Sequence, residues 1–274
     1  MSLVLLAIVA GTLSAGVGSV LLAALLARAL MMRFTQHLLS LAAGALLATA
    51  FMHLLPEAFE SDITPQLLFM TLLGGLVFFF LLDKAELWHH GHEHGEGHHH
   101  ALHGDTHDHA HHHADDSNSQ SPLGFAGSWA VLAGDSVHAF GDGILVAAAF
   151  MTNFSLGVAA SLAVLAHETP HHMGDLAVLQ RGFGQGRAAL LKLCLAGGVT
   201  VVGGLLGFFL IEGHEDWLPY MLVVASSSYV YVALADLIPQ LQKRLSASAT
   251  SMQVLWLLAG IGLVTLATQL MHVH

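Results

Sequence analysis

One cysteine, Cys194, and six prolines stand in 274 residues. A lone cysteine excludes an intramolecular disulfide and any Cys-rich zinc module, and Cys194 reads as a small interior residue. Charge is equally scarce: Asp, Glu, Lys and Arg make up 10% of the chain, and eight residues are basic. The net charge of −11 does not by itself speak to nucleic acid, and no nucleic-acid partner is expected. No GxxxxGK[ST] run occurs, so no ATP-binding loop is evident. Gly182-Phe183-Gly184-Gln185-Gly186 reads as a flexible turn and not as a phosphate cradle. No prosthetic group is expected.

What is present is apolar. At 55% hydrophobic and a mean hydropathy of +0.67, the chain is too apolar for an ordinary soluble domain. A spanning helix needs about 20 mostly apolar residues. Eight such runs are expected near 3–27, 38–59, 66–82, 126–150, 154–178, 188–211, 217–240 and 252–271. The fold class is therefore an all-α integral membrane protein in a lipid bilayer. Residues 1–82 carry spans one to three, 83–125 form a cytoplasmic loop, and 126–274 carry spans four to eight. The first run lacks a basic flank and a clear cleavage site, so it reads as a span and not as a signal peptide.

With both termini outside, all eight basic residues fall on the cytoplasmic side: Arg28, Arg33, Lys84, Arg181, Arg187, Lys192, Lys243 and Arg244. The outer loops then hold only acids, Glu57, Glu60 and Asp62, then Glu212, Glu215 and Asp216. That distribution follows the positive-inside rule and supports the count of spans. Asn153-Phe154-Ser155 fits a glycosylation triplet but lies too near the membrane to serve as one.

The long polar stretch, 83–125, is expected to be disordered. Thirteen of the 25 residues from His89 to His113 are histidine, and nothing there can pack a core. Neutral imidazoles at such spacing bind zinc, nickel or copper in many weak arrangements, which suits capture or buffering of metal at the cytoplasmic side.

The chemistry lies in two shorter runs, His138-Ala139-Phe140-Gly141-Asp142 and His167-Glu168-Thr169-Pro170-His171-His172-Met173-Gly174-Asp175. Ionisable side chains at membrane depth cost about 2.5–3.5 kcal/mol each on insertion scales and face partners or polar pathways. Asp135, His138 and Asp142 share one helix face at i, i+3, i+7; His167, His171 and Asp175 share another, with Glu168 and His172 beside it. His138, Asp142 and His171 can give three ligands to a metal ion, with water, His167 or Glu168 completing a tetrahedron. Asp142 and Glu168 neutralise a divalent ion. Pro170 cannot donate to the carbonyl of Ala166, which predicts a kink and a free acceptor at metal depth.

Readings of other classes compete. His167-Glu168-Thr169-Pro170-His171 matches HExxH, the zinc-protease motif in which the glutamate is general base. A proline inside the motif, a second cluster at His138/Asp142 and the His-rich loop fit an intramembrane zinc protease poorly. The HxxxD of the fourth span is similar to cation-diffusion exporters, whose six spans and C-terminal domain are lacking here. A metal sensor that moves nothing is the third alternative.

Taken with His53-Leu54-Leu55-Pro56-Glu57 closing the second span and Tyr231-Val232-Ala233-Leu234-Ala235-Asp236-Leu237-Ile238-Pro239 in the seventh, the chain resembles the ZIP (Zrt-/Irt-like) metal transporters over nearly all its length. The resemblance implies a 3+2+3 bundle of eight helices with both termini outside, a homodimer, and import of Zn²⁺ or similar ions toward the cytoplasm; the ligand types leave room for Cd²⁺, Co²⁺, Ni²⁺ and Fe²⁺ as well. It makes His138, Asp142 and His171 the primary ligands, with His167, Glu168 and His172 beside them. Asp135 and Asp175 join the expected pathway, with His53 and Glu57 at its entrance and Asp236 at its exit. The HLLPE and DLIPQ runs end their spans at opposite faces, as an inverted repeat would. The compact chain suggests a bacterial inner membrane.

Three departures bear on the site. Ala139 stands where the family commonly has asparagine, His172 where related members carry glutamate, and Gln240 where an acid is usual. They remove oxygen donors, so one well-formed site is expected and the second weak or absent. Softer ligation favours Zn²⁺ over Mn²⁺ or Mg²⁺. Because ligands bind metal deprotonated, uptake is expected to fall as pH drops toward the imidazole range at about 6.5.

Overall fold

The computed structural model describes residues 2–29, 35–91, 125–183, 186–242 and 246–272. All regular structure among them is helical, in eight rods. α1 is residues 2–29, α2 residues 35–59, α3 Pro65–Gly91 and α4 Phe125–Thr152; α5 Phe154–Phe183 and α6 Gly186–Ile211 follow. A single turn at Glu215–Trp217 leads into α7, residues 218–241, and α8 is Ala247–His272. Most of the His-rich tract, 92–124, and Lys243 and Arg244 lie outside the described residues. α3 runs to Gly91, past the span end expected at residue 82, so the first part of the 83–125 segment is helix.

Seven of the eight are long and apolar enough to cross a bilayer; α5 is the exception. Eight runs apolar enough to span were expected, the one holding His167–Asp175 among them, and by length and composition seven of the described helices meet that mark. The reason is the polar content of α5, from His167 to Asp175, and its place in the middle of the bundle against α1, α2, α4, α6 and α8. A helix enclosed by protein can carry polar groups that a lipid-facing helix cannot. The peripheral helices show the converse. Leu73, Phe78, Phe209, Leu255 and Leu266 of α3, α6 and α8 stand exposed, an apolar belt too extensive for water and suited to hydrocarbon.

Three rods are wound as π-helix for part of their length: Ser14–Gly18 in α1, Thr49–Leu54 in α2 and Val232–Leu237 in α7. The last two correspond closely. Each ends two residues before a proline, Pro56 or Pro239, and in each the following residue donates five positions back, Leu55 N–H to the Ala50 carbonyl and Ile238 N–H to the Ala233 carbonyl. Proline lacks the N–H that would continue an ordinary ladder, and the wider winding shifts the register ahead of that gap. Thr49–Leu54 packs on Leu218–Tyr231, and Val232–Leu237 packs on Thr35–Ala48. The likeness of the HLLPE and DLIPQ runs thus extends to backbone winding and mutual packing.

Small residues set the closest helix approaches, within the bundle. A Cβ at Gly143 would overlap the Thr200 carbonyl oxygen, and one at Gly203 the Phe140 carbonyl oxygen, so α4 and α6 touch backbone to backbone beside Asp142. Gly44 and Gly260 do the same for α2 and α8. Such contact replaces the hydrophobic driving force that lipid withholds from helix pairs. Gly203→Ala is expected to destabilise the fold by about 1–3 kcal/mol, the usual cost of overpacking, as read by denaturant unfolding in micelles. Gly198→Ala, where a Cβ meets open space, is the control.

Candidate metal centre

The centre is assembled by one helical hairpin. α4 and α5 are joined through a single residue, Asn153, whose Oδ1 accepts from Leu156 N–H at 2.8 Å and from Ser155 Oγ at 2.8 Å. This is an N-cap, which fixes where α5 starts. Its amide nitrogen donates to Glu57 Oε1 at 3.3 Å, tying the corner to α2. With so short a corner, residues equally distant from Asn153 lie level. His138 therefore faces His167 and Glu168, while Asp135 faces His171 and His172. Each helix rises about 1.5 Å per residue, so the two levels lie one turn apart.

At the upper level four donor atoms converge. His138 Nε2 lies 3.4 Å from His167 Nε2, 3.3 Å from Glu168 Oε1 and 3.9 Å from Asp142 Oδ2. His167 Nε2 lies 3.2 Å from Glu168 Oε1 and 3.4 Å from Asp142 Oδ2. Ligands about 2.0 Å from a tetrahedral zinc ion are about 3.3 Å from one another, so these separations are the edges of a zinc-sized tetrahedron. Asp142, His167 and Glu168 are buried, and neither Asp142 Oδ2 nor Glu168 Oε1 makes a hydrogen bond. His167 Nδ1 donates to the Ala163 carbonyl at 3.0 Å, which leaves Nε2 bare toward the centre.

His171, expected among the primary ligands, stands outside this quartet. Its Nδ1 lies 3.0 Å from Asp175 Oδ2, its side chain is 47% exposed, and its ring stacks on that of His138 at 6.4 Å. The reason is the hairpin register: His171 sits one turn below His167, level with Asp135. His167 and Glu168, expected as auxiliaries, take the places nearest His138 and Asp142. His172 points away from the quartet, its Nε2 toward Asp135 Oδ1 at 3.3 Å and Glu168 Oε2 at 3.0 Å. Ala139 is buried apolar surface. α5 stays helical through Pro170.

The outlying residues fall elsewhere. His53 Nε2 is 3.4 Å from Thr268 Oγ1 of α8, and Glu57 is held by Asn153. Asp236 belongs to the π-wound part of α7, and its side chain lies outside the described residues. Two residues near the centre carry no motif. Ser19 of α1 pairs with His172 Nδ1 at 3.1 Å, and the fully buried Tyr229 of α7 sets its ring 6.5 Å from that of His167. A cavity of ≈ 280 Å³ between α3, α4 and α7, lined by Phe79, Leu82, Met221 and Ser228, reaches His138 and Asp142.

A bundle with seven helices long and apolar enough for a bilayer, drawn round two imidazoles and two carboxylates at zinc spacing, is the build of a membrane protein with a cluster of metal-ligating side chains at its centre. The chain belongs to the ZIP zinc transporter family, whose sequence model matches residues 1–268. It is 31% identical over 252 residues to human zinc transporter ZIP4, covering 76% of this chain and 39% of that protein. It is 30% identical over 250 residues to ZIP13 of Pongo abelii, covering 84% of this chain and 66% of the relative. With human ZIP5 the identity is 31% over 304 residues, 92% of this chain and 56% of the relative. The family is one of metal transporters and not of enzymes, and the protease reading of HExxH finds no support in it. The geometry agrees: Glu168, which would be the general base, sits among the donor atoms themselves.

Proposed function

We propose that this protein imports a divalent transition-metal ion, Zn²⁺ foremost, toward the cytoplasm through the quartet His138, Asp142, His167 and Glu168. The observation that carries the reading is the convergence of four donor atoms, on the buried Asp142, His167 and Glu168 and the half-buried His138, at 3.2–3.9 Å across the α4–α5 hairpin. Two carboxylates balance the charge of the ion, and two imidazoles supply donors that prefer Zn²⁺, Co²⁺, Ni²⁺ or Cd²⁺ to Mg²⁺. Zinc is also the metal named for ZIP4, ZIP13 and ZIP5.

The rest of the proposal is topological. Both termini lie outside, and the Asn153 corner with Glu57 forms the outer end of the path. The ion then descends the hairpin from Asp142 toward Asp175. The assembly is a homodimer in a bacterial inner membrane, with the His-rich segment as a cytoplasmic metal acceptor.

The test is initial-rate ⁶⁵Zn uptake into proteoliposomes. Saturable uptake is expected for the wild type, and His138→Ala is expected to bring it down to that of empty vesicles. His171→Ala, outside the quartet, is expected to retain saturable uptake at a reduced rate. Zinc binding without movement would sink the import reading in favour of a sensor.

A further inference from the structure

The buried members of the quartet differ in what holds them from outside it. His167 Nδ1 is held by the Ala163 carbonyl at 3.0 Å, and Glu168 sets its second oxygen 3.0 Å from His172 Nε2. Asp142 is as deeply buried, yet among the described residues it has no hydrogen-bond partner outside the quartet; its contacts are the two imidazoles, at 3.9 and 3.4 Å. A carboxylate that ligates a metal ion is itself hydrogen-bonded by the protein around it.

Beside the centre stands a group with the opposite deficiency, a donor without an acceptor. Tyr229 of α7 is 1% exposed, and its hydroxyl makes no hydrogen bond. Burying an unpaired phenol O–H costs free energy that a phenylalanine of the same shape would not incur. Packing therefore does not account for the hydroxyl. The ring stands 6.5 Å from that of His167 at a tilt of 55°, and Asp142 is the charged group whose field reaches it. The next residue back, Ser228, lines the ≈ 280 Å³ cavity together with His138 and Asp142, so a water molecule has room between α7 and the carboxylate.

Resting on the import reading above, we propose that Tyr229 is a positioning residue of the metal centre: its O–H, directly or across one water, donates to the Asp142 oxygen that the ion does not take. One bond then satisfies both groups. It orients the carboxylate so that Oδ2 stays turned to His138, His167 and Glu168. It also ties the hairpin, which carries all four donors, to α7, which carries none of them and packs on α4. The chemistry of a phenol suits the place. It is a neutral donor, so it holds Asp142 without competing with a divalent ion for the negative charge of the two carboxylates. A lysine or arginine there would pair with Asp142 and displace the ion.

The test is zinc affinity of the purified chain in micelles, read against a chelating dye, with the thirteen histidines from His89 to His113 changed to asparagine to remove their background. Tyr229→Phe removes the hydroxyl alone and is expected to weaken zinc binding by about 10–100-fold. Thermal unfolding of the zinc-free variant is expected at the same temperature as the parent or higher, since an unpaired buried hydroxyl has gone. A phenol with a merely structural role would do the reverse, lowering stability and leaving affinity alone. Zinc is also expected to produce a tyrosine ultraviolet difference signal. The chain has three tyrosines, and Tyr229→Phe should erase the signal while Tyr220→Phe, at the start of the same helix, keeps it. Unchanged affinity in Tyr229→Phe, or a difference signal that survives it, would overturn the role of Tyr229 while leaving import standing. Should Tyr229→Phe fail to fold, Tyr220→Phe and Tyr231→Phe decide, because the signal outlives both only if Tyr229 gives rise to it. Failure of import appears separately, as absent ⁶⁵Zn uptake by a parent chain that binds zinc.

Discussion

Glu168→Gln is expected to abolish saturable zinc uptake and to weaken zinc binding by more than about 100-fold. Outer-shell partners of metal ligands alone are worth about 10–100-fold in affinity, and Glu168 is closer than that. Its Oε1 stands 3.2 and 3.3 Å from the two quartet imidazoles, and its Oε2 stands 3.0 Å from His172. Glutamine keeps the size and one carbonyl oxygen but removes the charge. A divalent ion held by Asp142 and Glu168 is neutralised; held by Asp142 alone it leaves net positive charge in a low-dielectric interior. The glutamine amide would also aim N–H groups at donor atoms. Zinc affinity measured against a chelating dye in micelles, beside Glu215→Gln as a control at an exposed carboxylate away from the hairpin, checks this. Affinity within about tenfold of wild type in Glu168→Gln would show that the quartet is not the binding site.

The second large effect is selectivity. Mn²⁺ is expected to compete with ⁶⁵Zn uptake only at concentrations at least about 100-fold above those of Cd²⁺ or Co²⁺, because Mn²⁺ stands lowest in the divalent affinity order and prefers oxygen. The quartet offers two nitrogens and two carboxylates at 3.2–3.9 Å from one another, a four-donor set that serves poorly an ion that seeks six oxygen ligands. His167→Asp should narrow the gap by exchanging nitrogen for oxygen. Inhibition by Mn²⁺ equal to that by unlabelled Zn²⁺ would contradict the ligand set.

Much of the fold was legible because a bilayer imposes a simple rule. A spanning segment must satisfy its own backbone and be apolar for about 20 residues, and the eight runs read from the sequence coincide with the eight rods. α5 broke the apolar rule, and that is informative: a helix walled off by its neighbours can afford His167, Glu168, His171, His172 and Asp175. The helix running on to Gly91 was hidden because its last turns are polar, with no lipid to require otherwise.

The candidate site was legible as residue types and faces, but not as pairings. Helical periodicity aligns Asp135 with His138 and Asp142, and His167 with His171, within each helix. It says nothing of which residue on α4 meets which on α5. That depends on the one-residue corner at Asn153, which sets the register of the hairpin and brings His138 level with His167 and Glu168, Asp135 with His171 and His172. Ser19 and Tyr229 were out of reach for the same reason, since nothing local marks a serine on α1 or a tyrosine on α7 as neighbours of histidines on α5. Composition and periodicity determined the class, the helices and the metal-binding residue types, because these follow from solvent and from 3.6 residues per turn. Which donor atoms lie together, and that Glu168 faces two groups at once, was decided only by tertiary structure, because such proximity depends on distances between helices that no single helix contains.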